Sequence, residues 1–276
     1  MAGPLHVAVY QYEARDEGPD ARLARLEAAA AGAAARGARL LVAPEVFLSG
    51  YAVDDATLAA RAESADGPAA ARAGAIAAAH GIALVYGYPE RADGAIYNAA
   101  RCIGPDGTAL ANHRKITLSG AGERARYRRG GGPLTLFTVD GHTVAVLICY
   151  DAEFPELVRA AALAGATLVL VPTALVERHP FVARHMMPTR AFENGLYLAY
   201  ANYAGRERGC VYLGESCIAG PDGAAIARAG GGEELLEGTA DPGALRSARD
   251  TLPYLDDLGT LPPASPGGAG GACGPG

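Results

Sequence analysis

The stretch Ile148-Cys149-Tyr150-Asp151-Ala152-Glu153-Phe154-Pro155-Glu156 decides how this chain is read. An apolar run from Thr143 leads straight into Cys149, with the length and β-branched content of a buried strand. The chain then turns polar, and Pro155 opens a helix that runs to Ala164. A strand, a polar turn and a helix in succession form the repeating unit of a layered α/β protein. At such a junction a thiol sits at a sheet edge, where the backbone N–H groups just beyond it point outward and can stabilise an oxyanion. Taken alone, Cys149 fits a packed core thiol at least as well, because free cysteines are often simply buried.

Working outward, the same alternation of short apolar runs and Ala-rich helical segments fills the chain. Leu5–Gln11, Leu40–Ala43 and Ile82–Tyr88 read as strands, with helices over Asp20–Arg36 and Gly67–His80, the latter closed by Gly81. Ala95–Ile103 and Ala109–Lys115 flank the turn Gly104-Pro105-Asp106-Gly107, and Leu134–Val139 meets Thr143–Cys149 through Asp140-Gly141. Beyond the opening stretch come a strand over Thr167–Val171, a helix over Phe181–Asn194 and a strand over Leu196–Tyr203. A late hairpin joins Val211–Ala219 to Ala224–Arg228 through Pro221-Asp222-Gly223. No Pro/Ser-rich linker interrupts the series, which predicts one domain over residues 1–261. Pro262–Gly276, all small residues and prolines apart from Cys273, is expected to be a disordered tail.

Bulk chemistry narrows the class. The formal charge of −6 argues against nucleic-acid or anionic-membrane partners. No stretch approaches the roughly 20 apolar residues of a membrane span, and Met1–Gln11 lacks a signal-peptide pattern. The 5 cysteines show no CxxC spacing, so the expected setting is reducing and cytoplasmic. The 6 histidines form no ligand cluster, so no metal site is expected.

Two further residues stand where Cys149 stands, at the carboxyl end of a strand. In Leu41-Val42-Ala43-Pro44-Glu45-Val46-Phe47, Glu45 follows a buried strand; a desolvated glutamate there has a raised pKa and can take a thiol proton. In His113-Arg114-Lys115, Lys115 ends another strand and can hold developing negative charge on a carbonyl oxygen. Alone, Glu45 also fits a surface loop, and Lys115 a solvated basic run. Their shared position at strand ends is what couples them to Cys149.

With these residues assembled, the chain resembles the nitrilase superfamily of carbon–nitrogen hydrolases. The matching segments are Pro44-Glu45-x-Phe47-x-Ser49-Gly50-Tyr51, His113-Arg114-Lys115, Cys149-Tyr150-Asp151-x-Glu153-Phe154-Pro155-Glu156, Arg190-Ala191-Phe192-Glu193-Asn194 and Gly214-x-Ser216-x-Ile218-x-Gly220-Pro221-x-Gly223. Their order covers roughly residues 5–240, and the wording is closest to single-domain amidases, including stereoselective ones. The resemblance implies a four-layer α-β-β-α sandwich, usually a homodimer, and a catalytic triad of Glu45, Lys115 and Cys149. It also implies a second glutamate between the lysine and cysteine motifs. Glu123 takes that place as the only acidic residue from Lys115 to Val139, although Arg124, Arg126, Arg128 and Arg129 also suit a solvated loop. Thr173-Ala174-Leu175 departs from relatives that carry an aromatic residue or Asn after the preceding strand.

The implied reaction is thiol-dependent hydrolysis of a small carboxamide through a Cys149 thioester, without metal or organic cofactor. Lys115 and the Tyr150 backbone N–H would support the oxyanion, and Glu123 would help place water. Two alternatives stay open at this point. One is a nitrilase acting on a small nitrile with the same triad; the other is a non-catalytic binding protein that keeps the fold.

Overall fold

Alternation along the first strand sets the layers. In the computed structural model, which describes residues 2–260, β1 (Leu5–Ala14) sends Val7 and Val9 to one side and Ala8, Tyr10 and Tyr12 to the other, and both sides are buried. A strand covered on both faces lies inside a layered sheet. The tail expected from Pro262 onward, with Cys273, lies outside the described residues.

The first half continues as α1 (Pro19–Ala35), β2 (Leu40–Val42), α2 (Asp55–Arg61), α3 (Pro68–His80), β3 (Ala83–Ala92), β4 (Ala95–Ile103), β5 (Ala109–Arg114) and α4 (Gly120–Arg126). Next come β6 (Leu136–Val139), β7 (His142–Val146), α5 (Pro155–Leu163), β8 (Leu168–Pro172) and α6 (Met187–Asn194). The remainder is β9 (Tyr197–Ala201), β10 (Tyr203–Glu207), β11 (Cys210–Val211), β12 (Cys217–Ala219), β13 (Ala225–Arg228), β14 (Glu234–Ala240), α7 (Pro242–Thr251) and α8 (Tyr254–Asp257).

One sheet has the order β11-β10-β1-β2-β3-β4-β5, with β14 also paired to β1; the other has the order β13-β12-β9-β8-β7-β6. Between the sheets, Val7, Val9, Val42 and Val85 pack against Val144, Val146, Leu168 and Leu170. The outer face of the first sheet is covered by Leu23, Leu26, Ala73 and Ile76 from α1 and α3. Val158, Ala161, Met187 and Ala191 from α5 and α6 cover the outer face of the second. The layers therefore run α-β-β-α, as expected. Among the described residues, no helix is long and apolar enough to cross a membrane.

Local chemistry explains where the chain departs from its sequence reading. The strand expected over Leu196–Tyr203 is two strands, because β9 belongs to one sheet and β10 to the other. Asn202 makes the crossing possible. Its N–H donates to Ser216 Oγ at 2.9 Å, its Oδ1 accepts from Leu175 N–H at 2.8 Å, and its Nδ2 donates to Gly214 O at 2.8 Å. Backbone groups that leave a ladder are thus repaired by side chains. Val211–Ala219 likewise divides into β11 and β12, parted by left-handed backbone at Gly214 and Glu215 (φ 71° and 53°).

The helix expected over Phe181–Asn194 opens with a π turn over Val182–Met186 before α6. Pro188, near the α6 start, has no N–H for the regular ladder, which favours this wider turn. Elements without a clear apolar period went unpredicted: α2, α4, β14, α7 and α8. Of these, β14 matters most, since it pairs antiparallel with β1 from Leu5–Ala240 to Gln11–Glu234.

Candidate active site

Glu45 follows β2, Lys115 follows β5 directly, and Cys149 lies just beyond β7. Cys149 is not the last residue of its strand, as the sequence reading had it. The ladder ends with Leu147 N–H donating to Leu170 O, and the chain winds into a 3-10 turn over Cys149–Glu153. Asp151 imposes that turn by reaching back to accept from Ile148 N–H at 3.1 Å. Cys149 adopts φ 48°, a left-handed conformation uncommon for a non-glycine residue.

Asp151 also reaches the lysine segment. It accepts from Thr117 N–H at 2.7 Å, Thr117 Oγ1 at 2.6 Å and Ile116 N–H at 3.3 Å, with His113 Nε2 at 3.5 Å. Burial alone would raise its pKa, but the His113 and Thr117 contacts hold it below the usual carboxylate range. A single buried carboxylate therefore ties the turn of Cys149 to the end of β5. The sequence reading gave Asp151 no role.

The three remaining charges meet in the interior. Lys115 Nζ donates to Glu45 Oε1 at 2.6 Å and to Glu123 Oε1 at 2.7 Å. Lys115 and Glu45 are both 0% exposed and Glu123 is 5% exposed, so Lys115 is not part of a solvated basic run, although Arg114 beside it is partly exposed. Glu123 lies on α4 rather than in a loop. Its Oε1 also accepts from Tyr51 Oη at 2.9 Å, and its Oε2 from Ser119 N–H at 2.7 Å. The neighbouring arginines face outward, where Arg126 pairs with Asp55 at 2.7 Å. An ammonium carries three protons; two are assigned here, and the third has no acceptor among the described residues.

Burial pushes the Glu45 carboxyl up to about 7 against the pull of the Lys115 ammonium. Burial disfavours the charged form of Lys115, yet the Glu45 and Glu123 carboxylates hold it firmly protonated. Burial, reinforced by the Glu45 charge, pushes the Cys149 thiol well up, so it rests as a neutral thiol. Glu45 Oε2 is buried and has no hydrogen-bond partner among the described residues.

The Glu45 loop is held on every side. Tyr203 Oη donates to Glu45 O at 2.9 Å, and Gly87 N–H donates to Pro44 O at 3.1 Å. At position 87 a Cβ would stand 2.2 Å from Val46 N, so only glycine fits. From α1, the fully buried Arg22 donates to Phe47 O at 3.0 Å and to Glu207 Oε1 at 3.1 Å. Glu207 Oε2 in turn accepts from Ala52 N–H at 2.8 Å.

Tyr150 packs its ring edge-on against Phe154, with centroids 5.0 Å apart, which leaves its backbone N–H as the group of interest. Thr173, in the segment that departs from relatives, is fully buried beside the Cys149 thiol and donates to Tyr200 Oη at 3.2 Å. Sequence reasoning missed Asn98, which donates from Nδ2 to Glu45 Oε1 at 2.7 Å. Its one signal was a polar residue inside the apolar strand Tyr97-Asn98-Ala99-Ala100. Size alone does not pick this site. Hollows of about 480 and 500 Å³ are lined around Phe192 and Leu252, and around Asn112 and Leu134, and neither is lined by Glu45, Lys115, Glu123 or Cys149.

The chain is similar to known proteins along most of its length. Residues 6–250 match the family described as Carbon-nitrogen hydrolase. "Hydrolase in pqqF 5'region" of Pseudomonas protegens is 46% identical over 92% of this chain and 88% of its own length. An (R)-stereoselective amidase of a Pseudomonas species is 34% identical over 79% and 78% of the two chains. A cysteine-to-alanine mutant of the Nesterenkonia AN1 amidase, of the nitrilase superfamily, superposes with TM-score 0.82 at 36% identity, covering 93% and 95% of the chains. A Glu-to-Gln mutant of that amidase (TM-score 0.79, 35% identity, 92% and 93% covered) carries the acetamide moiety of fluoroacetamide covalently at its active-site cysteine. On the matched family, the relatives and the shared fold, the chain belongs to the nitrilase superfamily and is a carbon–nitrogen hydrolase.

Proposed function

We propose that the protein hydrolyses the amide bond of a small carboxamide through a thioester on Cys149. The observation that carries this reading is the placement of Lys115 between Glu45 Oε1 and Glu123 Oε1, with Glu45 Oε2 buried and unpartnered. Glu45 Oε2 accepts the Cys149 thiol proton as sulfur attacks the amide carbon. The third Lys115 proton and the Tyr150 backbone N–H stabilise the tetrahedral oxyanion. Glu45 returns the proton to the departing nitrogen, the C–N bond breaks, and ammonia leaves a thioester behind. Water then enters, oriented by Glu123; Glu45 takes one of its protons and hands it to the sulfur as the acid departs. The sum is amide plus water to acid plus ammonia.

Similarity to amidases supports amides over nitriles, and the covalent adduct at the cysteine of the Nesterenkonia enzyme supports Cys149 as nucleophile. Intact-protein mass spectrometry after brief exposure to short aliphatic amides should show the acyl group added at Cys149. Ammonia should be released from the amide of a matched amide–nitrile pair. Release from the nitrile alone overturns the amide assignment, and a thiol that no probe labels near neutral pH favours a binding protein. Self-association through α5 and α6, where Leu163 and Phe192 are exposed, is part of the same proposal, and a monomer in sedimentation velocity overturns it.

A further inference from the structure

Asn98 sits on β4 with no exposed surface, and it holds two members of the site at once. Its backbone carbonyl accepts from Lys115 N–H at 2.8 Å, which fixes where the lysine leaves the sheet. Its side-chain Nδ2 donates to Glu45 Oε1 at 2.7 Å, the same oxygen that accepts from Lys115 Nζ at 2.6 Å. One carboxylate oxygen thus carries two short charge-assisted bonds, while the other carries none.

The orientation of the amide follows from that charge. Turned over, Oδ1 would face Oε1, acceptor against acceptor, at hydrogen-bond distance. In the orientation that suits Glu45, Asn98 Oδ1 is itself buried without a donor. A buried unpaired acceptor is unfavourable, and a leucine of similar volume would fill the position without one. Packing therefore does not account for the amide. The bond to Glu45 does.

We infer that Asn98 is a positioning residue that divides the labour of Glu45, saturating Oε1 together with Lys115 so that Oε2 alone exchanges protons with Cys149. This rests on the reading of Glu45 as the base for Cys149. The groups facing Glu45 are Lys115 after β5, Glu123 on α4, Cys149 in its turn, and the hydroxyls of Tyr51, Tyr127 and Tyr203. Burial keeps the three tyrosines neutral, and Lys115 stays protonated, so in this set the Asn98 N–H and the Lys115 ammonium are the donors that favour ionised Glu45.

The test compares wild type with Asn98→Leu and Asn98→Asp by two readouts. One is the pH profile of Cys149 alkylation by iodoacetamide, and the other is kcat and KM for a short aliphatic amide. Removing a donor that favours the carboxylate moves the acid limb of the Asn98→Leu alkylation profile to higher pH. A hydrogen bond to a charged group lost from the reacting geometry lowers kcat by roughly 10- to 100-fold, with KM nearly unchanged. Asn98→Asp, almost the same shape, sets a second carboxylate against Oε1 and loses more at neutral pH than Asn98→Leu.

An acid limb in Asn98→Leu that superimposes on wild type, or an Asn98→Asp variant as reactive as wild type, overturns the inference. Melting curves establish that each variant is folded, and Asn98→Asp decides alone if Asn98→Leu does not fold. The alkylation profile reads Glu45 whether or not an amide is turned over. A wild type that alkylates with an acid limb but releases no ammonia therefore refutes the amide reading and leaves the Asn98 result standing.

Discussion

Glu45 has to act as a base while buried beside an ammonium, and the balance of those two effects sets the pH behaviour. Burial carries its carboxyl up to about 7, so the ionised, proton-accepting form is populated above that pH and lost below it. The expected kcat/KM profile for an amide therefore rises along an acid limb near neutrality. Glu45→Gln should lower kcat roughly 100- to 10,000-fold and flatten that limb; a retained limb would place the base elsewhere. The same shift acts on stability. A carboxyl whose folded pKa lies above its unfolded value binds its proton more tightly when folded, so its contribution to stability falls as pH rises from the ordinary carboxylate range to about 7. Cys149 rests as a thiol, pushed up by burial and by Glu45, so its deprotonation accompanies attack. Cys149→Ala should leave melting behaviour nearly unchanged and abolish turnover; appreciable residual hydrolysis would remove Cys149 as nucleophile.

At the scale of elements, strands were legible where alternation or a β-branched run was long enough. Asp140-Gly141 and Gly81 announced their turns because each takes a left-handed backbone, φ 46° and 83° for the pair and 61° for Gly81. The four-residue motif core Pro44-Glu45-Val46-Phe47 gave no sign of what holds it. Its support is Gly87 on β3, which is remote in sequence and close only after β2 and β3 pair. Gly87→Ala drives a methyl into the backbone at Val46 N, 2.2 Å away, and the Glu45 loop must yield. We expect a loss of about 1–3 kcal/mol or more in denaturant unfolding, typical of overpacking, together with a fall in kcat. Wild-type activity in that variant would show that the loop tolerates displacement. Helix α4 was illegible for a different reason. A seven-residue helix rich in glycine and arginine has no apolar period, and Glu123 turns inward only because Lys115 and Tyr51 receive it.

Across the whole molecule, the Arg22–Glu207 pair joins the first helix to a strand far down the chain and holds Phe47 O and Ala52 N–H, the two ends of the segment that follows Glu45 and carries Tyr51. Both side chains are almost wholly buried. Arg22→Met leaves the Glu207 charge uncompensated in the interior, and such breakage costs about 3–5 kcal/mol. Chemical denaturation measures it. Replacing both residues by apolar ones of similar volume should recover much of that loss, and a double variant no more stable than Arg22→Met would argue against the ion pair as the cause.

The sequence by itself determined the alternation of strands and helices, and it placed Glu45, Lys115 and Cys149 each at the carboxyl end of a strand. Local periodicity and motif spacing carry that information because they depend on neighbours along the chain. The tertiary structure alone decided how the charges meet. It set Lys115 between two carboxylates, gave Asp151 and Asn98 their partners, and sent β9 and β10 into different sheets. Those outcomes depend on side chains distant in sequence sharing one low-dielectric space. There an unpaired charge is costly, and the pairing of each group fixes the position of the next.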